Sequence, residues 1–211
     1  MSILEIREWV ALIKDLLMVI TALVTIFIGI YGLRLWKREL VGKEVYAAAK
    51  DLVKESHLVF KAAGELREPM HPYEIEPFTE NVIKNTTEWE RWRISESNGY
   101  RKRTEKFKKV LERYDQSKLN LRVLIGSKIY LGFLPFDKLI GETLERVNRY
   151  IEALNDYKKA MTPNSPEVIS AQVRLYPSDQ LDDELYQKTG DAREEGEKSL
   201  LAYLHRKSIR G

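Results

Sequence analysis

The run LLMVITALVTIFIGIYGL, from Leu16 to Leu33, constrains this chain more than any other stretch of its sequence. It holds eighteen residues without a charge or a proline. A helix rises about 1.5 Å per residue, so the run would extend about 27 Å, close to the hydrocarbon thickness of a bilayer. We therefore expect residues 16–35 to form a transmembrane helix.

Two other interpretations fit the run less well. A helix in the core of a soluble protein usually carries a polar stripe, and none exists between Leu16 and Leu33. A secretory signal has a short basic start and a cleavage site of small residues, whereas residues 1–15 are mixed in charge. We interpret residues 1–15 as an amphipathic lead-in, which either lies at the membrane interface before the chain turns into the membrane or continues directly into the span.

The residues that flank the run are typical of membrane–water interfaces. Trp9 and Trp36 lie just beyond its two ends, where indole rings favour the headgroup region. Lys37 and Arg38 follow Trp36 and are suited to anionic lipid headgroups. We predict that these four residues anchor the helix at the bilayer surfaces, so that the lipid bilayer is the first partner of the chain.

Basic residues are more frequent after the run than before it, and the positive-inside rule uses this difference to assign orientation. It predicts a single-pass membrane protein whose domain of residues 36–211 is cytoplasmic. The basic residues near the span are Arg7 and Lys14 on the N-terminal side and Arg34, Lys37, Arg38, Lys43, Lys50 and Lys54 on the C-terminal side.

Small residues share one face of the predicted span. Thr21, Thr25 and Gly29 are four positions apart, a spacing that lets two helices approach closely in a membrane. Small residues are also common in spans that pack against nothing. We predict that this face supports a homo-oligomer.

No helix breaker lies between the span and the residues after it, so we expect the helix to continue beyond Leu33 without interruption. Apolar residues then alternate spacings of four and three, as in a coiled-coil seam with one polar member. The helix is expected to end at the proline-rich stretch of residues 67–77. The seam consists of Val41, Val45, Ala48, Leu52, Glu55, Val59, Ala62 and Leu66.

The remaining chain also predicts helices, and no stretch alternates apolar and polar residues for long enough to require a sheet. The fold class we expect is all-α, with the transmembrane helix continuing into a cytosolic antiparallel helical bundle. Expected helices cover residues 78–92, 100–125 and 136–159, and a further one starts at Ser178 with a possible interruption at 189–191; turns or loops are expected at 95–99 and 126–135, and 167–176 is ambiguous.

The sequence contains no motif typical of a catalytic centre. It has no cysteine, which excludes disulfides and thiolate metal sites. His57, His71 and His205 are far apart in sequence, and no P-loop, nucleophile elbow or dinucleotide fingerprint is present. His71 with its acidic neighbours in the proline-rich turn is better interpreted as a solvated loop than as a metal site. We therefore expect no enzyme activity, no cofactor and no metal.

A basic segment within residues 100–125 is the candidate for binding a polyanion. Nine bases there outnumber three acids, and Trp89 and Trp92 upstream could stack on nucleobases. The alternative is a solvated helix whose charge is neutralised by residues 179–197, where eight acids outnumber two bases. We do not favour nucleic acid as a partner. The candidate contacts are Arg101, Lys102, Arg103, Lys106 and Lys109.

Three functions remain open. The leading hypothesis is a membrane-anchored, non-enzymatic interaction or signal-relay module that self-associates and binds a cytosolic protein or ligand. The alternative is an effector that perturbs the membrane when its cytosolic domain binds a ligand. The third is binding of a nucleic acid or nucleotide at the membrane through residues 100–125.

Overall fold

The computed structural model describes residues 3–74, 77–156, 162, 165–176 and 183–204. Of these residues 90% are helical and none is in a strand, which confirms the all-α prediction. A short 3₁₀ turn covers Pro72–Glu74. The helices are α1 Ile3–Arg67, α2 Glu80–Asn85, α3 Glu88–Ile125, α4 Lys128–Asn155, α5 Pro166–Leu175, α6 Glu184–Lys198 and α7 Leu201–Leu204.

The chain divides into two compact units, Met1–Glu44 and Val45–Gly211. Unit 1 consists of the first part of α1. From Ile13 to Leu40 every side chain of this part is exposed. Unit 2 contains a hydrophobic core to which the last part of α1 and helices α3 to α6 contribute, and α4 packs against α3, α5 and α6.

The part of α1 in unit 2 buries one stripe whose spacings alternate between four and three residues. The predicted seam shares Val45, Leu52, Val59 and Leu66 with this stripe, but its intermediate members lie one residue too early. The polar member of the stripe is therefore Ser56, not Glu55. The Ser56 hydroxyl donates to Val53 O at 2.7 Å and to Glu197 at 3.0 Å. The buried residues are Val45, Ala49, Leu52, Ser56, Val59, Ala63 and Leu66.

Helix α3 corrects the expected turn at residues 95–99, because it runs through that stretch without a break. The break lies earlier, at Thr86. Thr87 then caps α3 with a reciprocal capping box: its hydroxyl accepts from Glu90 N, and the Glu90 carboxylate accepts from Thr87 N. Gly99 is buried against Met70, so this glycine serves a close approach between segments and not a turn. The helix expected over residues 78–92 is therefore divided: α2 is shorter, and the last residues of that stretch belong to α3.

Helix α4 corrects the expected loop at 126–135. The chain turns at Gly126, which has a φ of 89° and ends α3 as predicted, and α4 already begins at Lys128. Pro135 lies inside this helix. The apolar seam predicted from residue 136 onward is confirmed at Phe136, Ile140, Val147 and Leu154, which are all buried.

The C-terminal helices differ from the predictions in two places. The ambiguous stretch 167–176 is mostly helical, as α5, with Pro166 in its first turn. Helix α6 runs through residues 189–191 without interruption, and a Cβ placed at Gly190 would lie 3.6 Å from the Phe60 ring, which is ordinary van der Waals contact. Asp183 caps α6, and the predicted cap Ser178 lies outside the described residues.

Candidate membrane-anchoring segment and polar clusters

The exposed apolar part of α1 is the first candidate site. Among the described residues, α1 is the one helix long and apolar enough to cross a membrane. Its most apolar 18-residue window has a mean hydropathy of 2.5, and none of that window is buried. Phe27, near the middle of the run, is 72% exposed. A surface of large apolar side chains without protein cover is a sign of an interaction surface.

The predicted anchors bracket this segment on a single helix. Trp9 and Trp36 are both exposed, at 59% and 63%. Their separation along a helix is about 40 Å, which matches the thickness of a bilayer with its headgroup regions. Lys37 and Arg38 are also exposed. The four residues thus have the spacing and exposure that interfacial anchors require.

The predicted packing face presents no free hydroxyl donor. The Thr21 hydroxyl donates to Leu17 O and the Thr25 hydroxyl to Thr21 O, both at 2.8 Å. Bonds of this kind satisfy a polar side chain within its own helix, as an apolar solvent demands. A Cβ placed at Gly29 would meet no atom within 4 Å. The face is therefore open to a neighbouring helix.

The predicted polyanion contacts do not all share one role. Arg101, Lys102, Lys106 and Lys109 are exposed on α3. Arg103 instead clamps the proline-rich connection: its guanidinium pairs with Glu74 and donates to Glu68 O at 2.5 Å and to Pro69 O at 3.1 Å. The hydrogen bond from Arg103 holds the pKa of Glu74 below its ordinary value.

Trp89 and Trp92 are stacked on each other, with ring centroids 4.5 Å apart. Trp92 packs against the core of unit 2, and both rings are partly buried. Stacking between the two rings uses the faces that a nucleobase would need. The pair is therefore better suited to packing the start of α3 against the core than to binding bases.

A buried carboxylate forms a polar cluster that the sequence did not indicate. Glu96 is 7% exposed, and its Oε1 accepts from the hydroxyls of Tyr176 at 2.8 Å and Tyr150 at 3.2 Å. Burial raises the pKa of Glu96, although both hydrogen bonds oppose this. Tyr100 meets Tyr150 edge to face and donates to Glu68 O at 2.7 Å. The cluster joins α3, α4 and the end of α5.

Two ion pairs with buried cations connect helices within unit 2. Arg67, at the end of α1, pairs with Asp183 at 2.5 Å and donates to Leu175 O at 3.1 Å. Lys118 on α3 pairs with Asp137 on α4 at 2.7 Å. Because each charge faces an opposite one, these pairs position the helices that carry them.

A charged groove of about 1280 Å³ lies between α4 and α5. Its lining includes small residues such as Gly141, Ala153, Ser170 and Ala171, together with the Arg149–Glu145 and Arg146–Glu142 ion pairs. A lining of this kind suits a polar partner surface.

Histidines and acids do not converge on a metal site within the described ranges. His57 lies 3.4 Å from Glu197, and His71 stacks on Tyr73. His205 and Glu76 lie outside the described residues. The comparisons of this chain with family models, curated proteins and solved structures find no match.

Proposed function

We propose that this chain is a membrane-anchored, non-enzymatic helical module that self-associates and holds a cytosolic protein or ligand at the bilayer. The observation that carries the proposal is that one helix, α1, contains two different surfaces. Its residues 16–33 are apolar and exposed, and its residues 45–66 bury a stripe in the core of unit 2. A single helix with these two surfaces can link a bilayer to a folded domain.

We further propose that unit 2 is an antiparallel helical bundle. Three contacts pair α3 with α1 in opposite directions: Tyr100 with Glu68 and Arg103 with Glu65, both through a carbonyl oxygen, and Arg113 with Glu55 at 3.8 Å. Each step forward on α3 matches an equal step backward on α1. Helix α6 also runs opposite to α1, because its cap Asp183 contacts Arg67 near the end of α1 and Glu197 near its own end contacts Ser56 further back.

The relay part of the proposal rests on helix continuity. A helix turns about 100° per residue, so a rigid α1 would carry a rotation of unit 2 into the span. The open face at Thr21, Thr25 and Gly29 supports self-association, because small side chains let two spans approach closely. In this arrangement a partner bound by unit 2 changes how two spans meet.

Insertions into α1 at Leu40 test whether the helix relays or only tethers. Two added residues would rotate the span by about 200° relative to unit 2, whereas seven would rotate it by only about 20° in the opposite sense. The chain has no cysteine, so single cysteines at Thr25 and at the exposed Lys50 can report copper-catalysed cross-linking between copies in membranes.

A relay predicts that the parent chain cross-links at both positions. The two-residue insertion should lose cross-linking at one of them, and the seven-residue insertion should keep both. Equal cross-linking in the parent and both insertions would mean that α1 is only a tether. A parent chain that cross-links at neither position would contradict self-association.

Polyanion binding is a second candidate, favoured by the exposure of Arg101, Lys102, Lys106 and Lys109 on one helix. Phosphate contacts release counterions, so such binding would weaken steeply with salt. Changing Arg101 and Lys102 to Ala tests it without disturbing the Arg103 clamp. The candidate predicts that the slope of log affinity against log salt for a single-stranded oligonucleotide falls by about 1.4, since each lost phosphate contact contributes about 0.7. An unchanged slope contradicts it.

A further inference from the structure

Unit 2 exposes large apolar side chains around the turn between α3 and α4. Val123 on α3 is 78% exposed and Leu131 on α4 is 71% exposed. One helical turn further from the connection, Leu119 and Leu134 are exposed as well. We call residues 119–134 the α3–α4 turn. Exposed apolar residues on both sides of one connection are a sign of an interaction surface.

The charge of this region has one sign. From Gln116 to Phe136 the sequence holds no Asp and no Glu, in a chain where 32% of residues are charged. It holds three bases. Lys118 is buried in its pair with Asp137, whereas Arg122 and Lys128 are exposed. The Arg122 guanidinium lies over the Tyr130 ring, 5.2 Å from its centroid, and so stays beside the apolar residues.

The contacts between α3 and α1 place the α3–α4 turn at a particular end of unit 2. Tyr100 lies opposite Glu68 and Arg113 opposite Glu55, so equal steps along the two helices bring Val123 level with Val45. Val45 is the first residue of unit 2. It follows Leu33, the last residue of the apolar run, by twelve positions. The turn thus lies at the end of unit 2 where the chain enters that unit.

We propose that the α3–α4 turn contacts the surface of an anionic membrane, with Val123 and Leu131 in the interfacial region and Arg122 and Lys128 against lipid headgroups. The inference rests on the proposed membrane anchoring and adds a second lipid contact, made by unit 2. An apolar surface edged by bases is what peripheral membrane contacts require.

The same features disfavour two other occupants. A second copy would bring an equally basic, acid-free turn against this one, and like charges would repel. A nucleic acid would be contacted mainly through polar and basic groups, whereas this turn also exposes a valine and three leucines. Anionic lipid satisfies both the apolar residues and the bases.

Single-cysteine labelling of the full chain tests the proposal. Val123→Cys carries an environment-sensitive dye, and Val173→Cys is the matched control, since Val173 is also an exposed valine, at 71%, on α5. Phe27→Cys reports the span separately. Each protein is reconstituted into vesicles of phosphatidylcholine alone or with phosphatidylglycerol, and quenching by iodide and by a bromine-labelled lipid is measured.

The proposal predicts that bromolipid quenches the dye at position 123 in phosphatidylglycerol vesicles, with weaker quenching in phosphatidylcholine alone, while position 173 remains open to iodide. Equal iodide quenching at 123 and 173 in both vesicles overturns it. Protection from iodide without bromolipid quenching also overturns it, because that pattern indicates a second copy. If position 27 is quenched by bromolipid while 123 is not, the anchor stands and only this inference fails; if neither is quenched, the anchor fails.

A charge reversal provides the specificity control. Arg122→Glu with Lys128→Glu should abolish bromolipid quenching at position 123 and leave quenching at position 27 unchanged. Arg101→Glu with Lys108→Glu makes the same change of charge at exposed residues elsewhere on α3 and should preserve quenching at 123. Equal effects of the two pairs would overturn the assignment. Circular dichroism checks that each variant keeps its helix content.

Discussion

Two stretches of helix α1 have nearly opposite relations to their surroundings. Leu23 in unit 1 is 62% exposed, whereas Leu52 in unit 2 is fully buried. Residues 16–33 are apolar on every side, while residues 45–66 are apolar along one stripe. Periodicity, and not apolar content alone, separates the two stretches: the helix with an apolar stripe is covered by its own protein, whereas the helix that is apolar on every side is not.

The exposed apolar surface of unit 1 is large enough to compare with the free energy of unfolding of a whole domain. Burying one large aliphatic side chain stabilises a protein by about 1.5–3 kcal/mol, and whole domains are stable by only about 5–15 kcal/mol. Unit 1 leaves more than a dozen such side chains exposed. The surface left uncovered is thus worth more than the stability of a typical domain, which is why we propose a bilayer around it.

Truncating one leucine in each stretch is expected to give the largest contrast. Leu52→Ala should lower the free energy of unfolding of unit 2 by about 2–5 kcal/mol, because it leaves a cavity in the core. Leu23→Ala should change it by less than about 0.5 kcal/mol. Urea titration of the full chain in detergent, followed by tyrosine and tryptophan near-UV dichroism, measures both. Equal losses would contradict the comparison.

A charge placed in residues 16–33 tests the same difference between the two stretches by membrane insertion. Leu23→Arg should disfavour membrane insertion by about 3 kcal/mol, the cost of an arginine near the middle of a span. The fraction of chain that resists carbonate extraction should fall. Val173→Arg, which adds the same charge to an exposed site of unit 2, should leave that fraction unchanged. An unchanged membrane fraction for Leu23→Arg would count against the span.

Two glycines in unit 2 test how tightly its helices pack. A Cβ at Gly196 would lie 2.8 Å from the Phe133 ring, so Gly196→Ala should destabilise by about 1–3 kcal/mol. A Cβ at Gly141, inside α4, meets nothing within 4 Å, and Gly141→Ala should stabilise by about 0.5–1 kcal/mol. Denaturation midpoints decide the signs. A Gly196→Ala variant as stable as the parent would show a looser core.

The smallest predicted effect is a pH-dependent change in the free energy of unfolding that the buried carboxylate of Glu96 causes. The pKa of Glu96 is raised by burial above 4.5, so the folded chain keeps this proton where the unfolded chain loses it. Its contribution to stability therefore falls as the pH rises from 4.5 toward the folded pKa. Gln keeps an oxygen that accepts from Tyr150 and Tyr176. Glu96→Gln should gain stability relative to the parent as the pH rises above 4.5, and a difference independent of pH would refute this.

The sequence predicted the helical class, the C-terminal ends of α1 and α3, and the apolar seam of α4, because each carries a strong local signal. The start of α3 was predicted at residue 100 and lies at Glu88. It was wrong about Gly99, Gly132 and Gly190. These glycines were interpreted as breaks, yet all three lie inside helices. Gly99 and Gly132 allow a close approach to Met70 and Ser199, whereas a Cβ at Gly190 would make ordinary contact with the Phe60 ring. Such neighbours are distant in sequence, and no local pattern indicates them.

The polar clusters were missed for the same reason. Glu96 lies in a stretch that reads as a turn, and its partners Tyr150 and Tyr176 follow far along the chain. Arg103 belongs to a basic run by sequence, but the fold assigns it to the proline-rich connection. Composition indicates that a residue is charged, whereas only the packing shows what that charge faces.

The membrane topology of the full chain directly tests whether α1 anchors it in a bilayer with unit 2 in the cytoplasm. The full chain, expressed in a bacterium with a reporter that is active only in the cytoplasm fused after Gly211, should remain in the membrane fraction after carbonate extraction with an active reporter. The same reporter placed before Met1 should be inactive. Release of the chain into the soluble fraction would contradict the account, and an inactive C-terminal reporter would reverse its orientation.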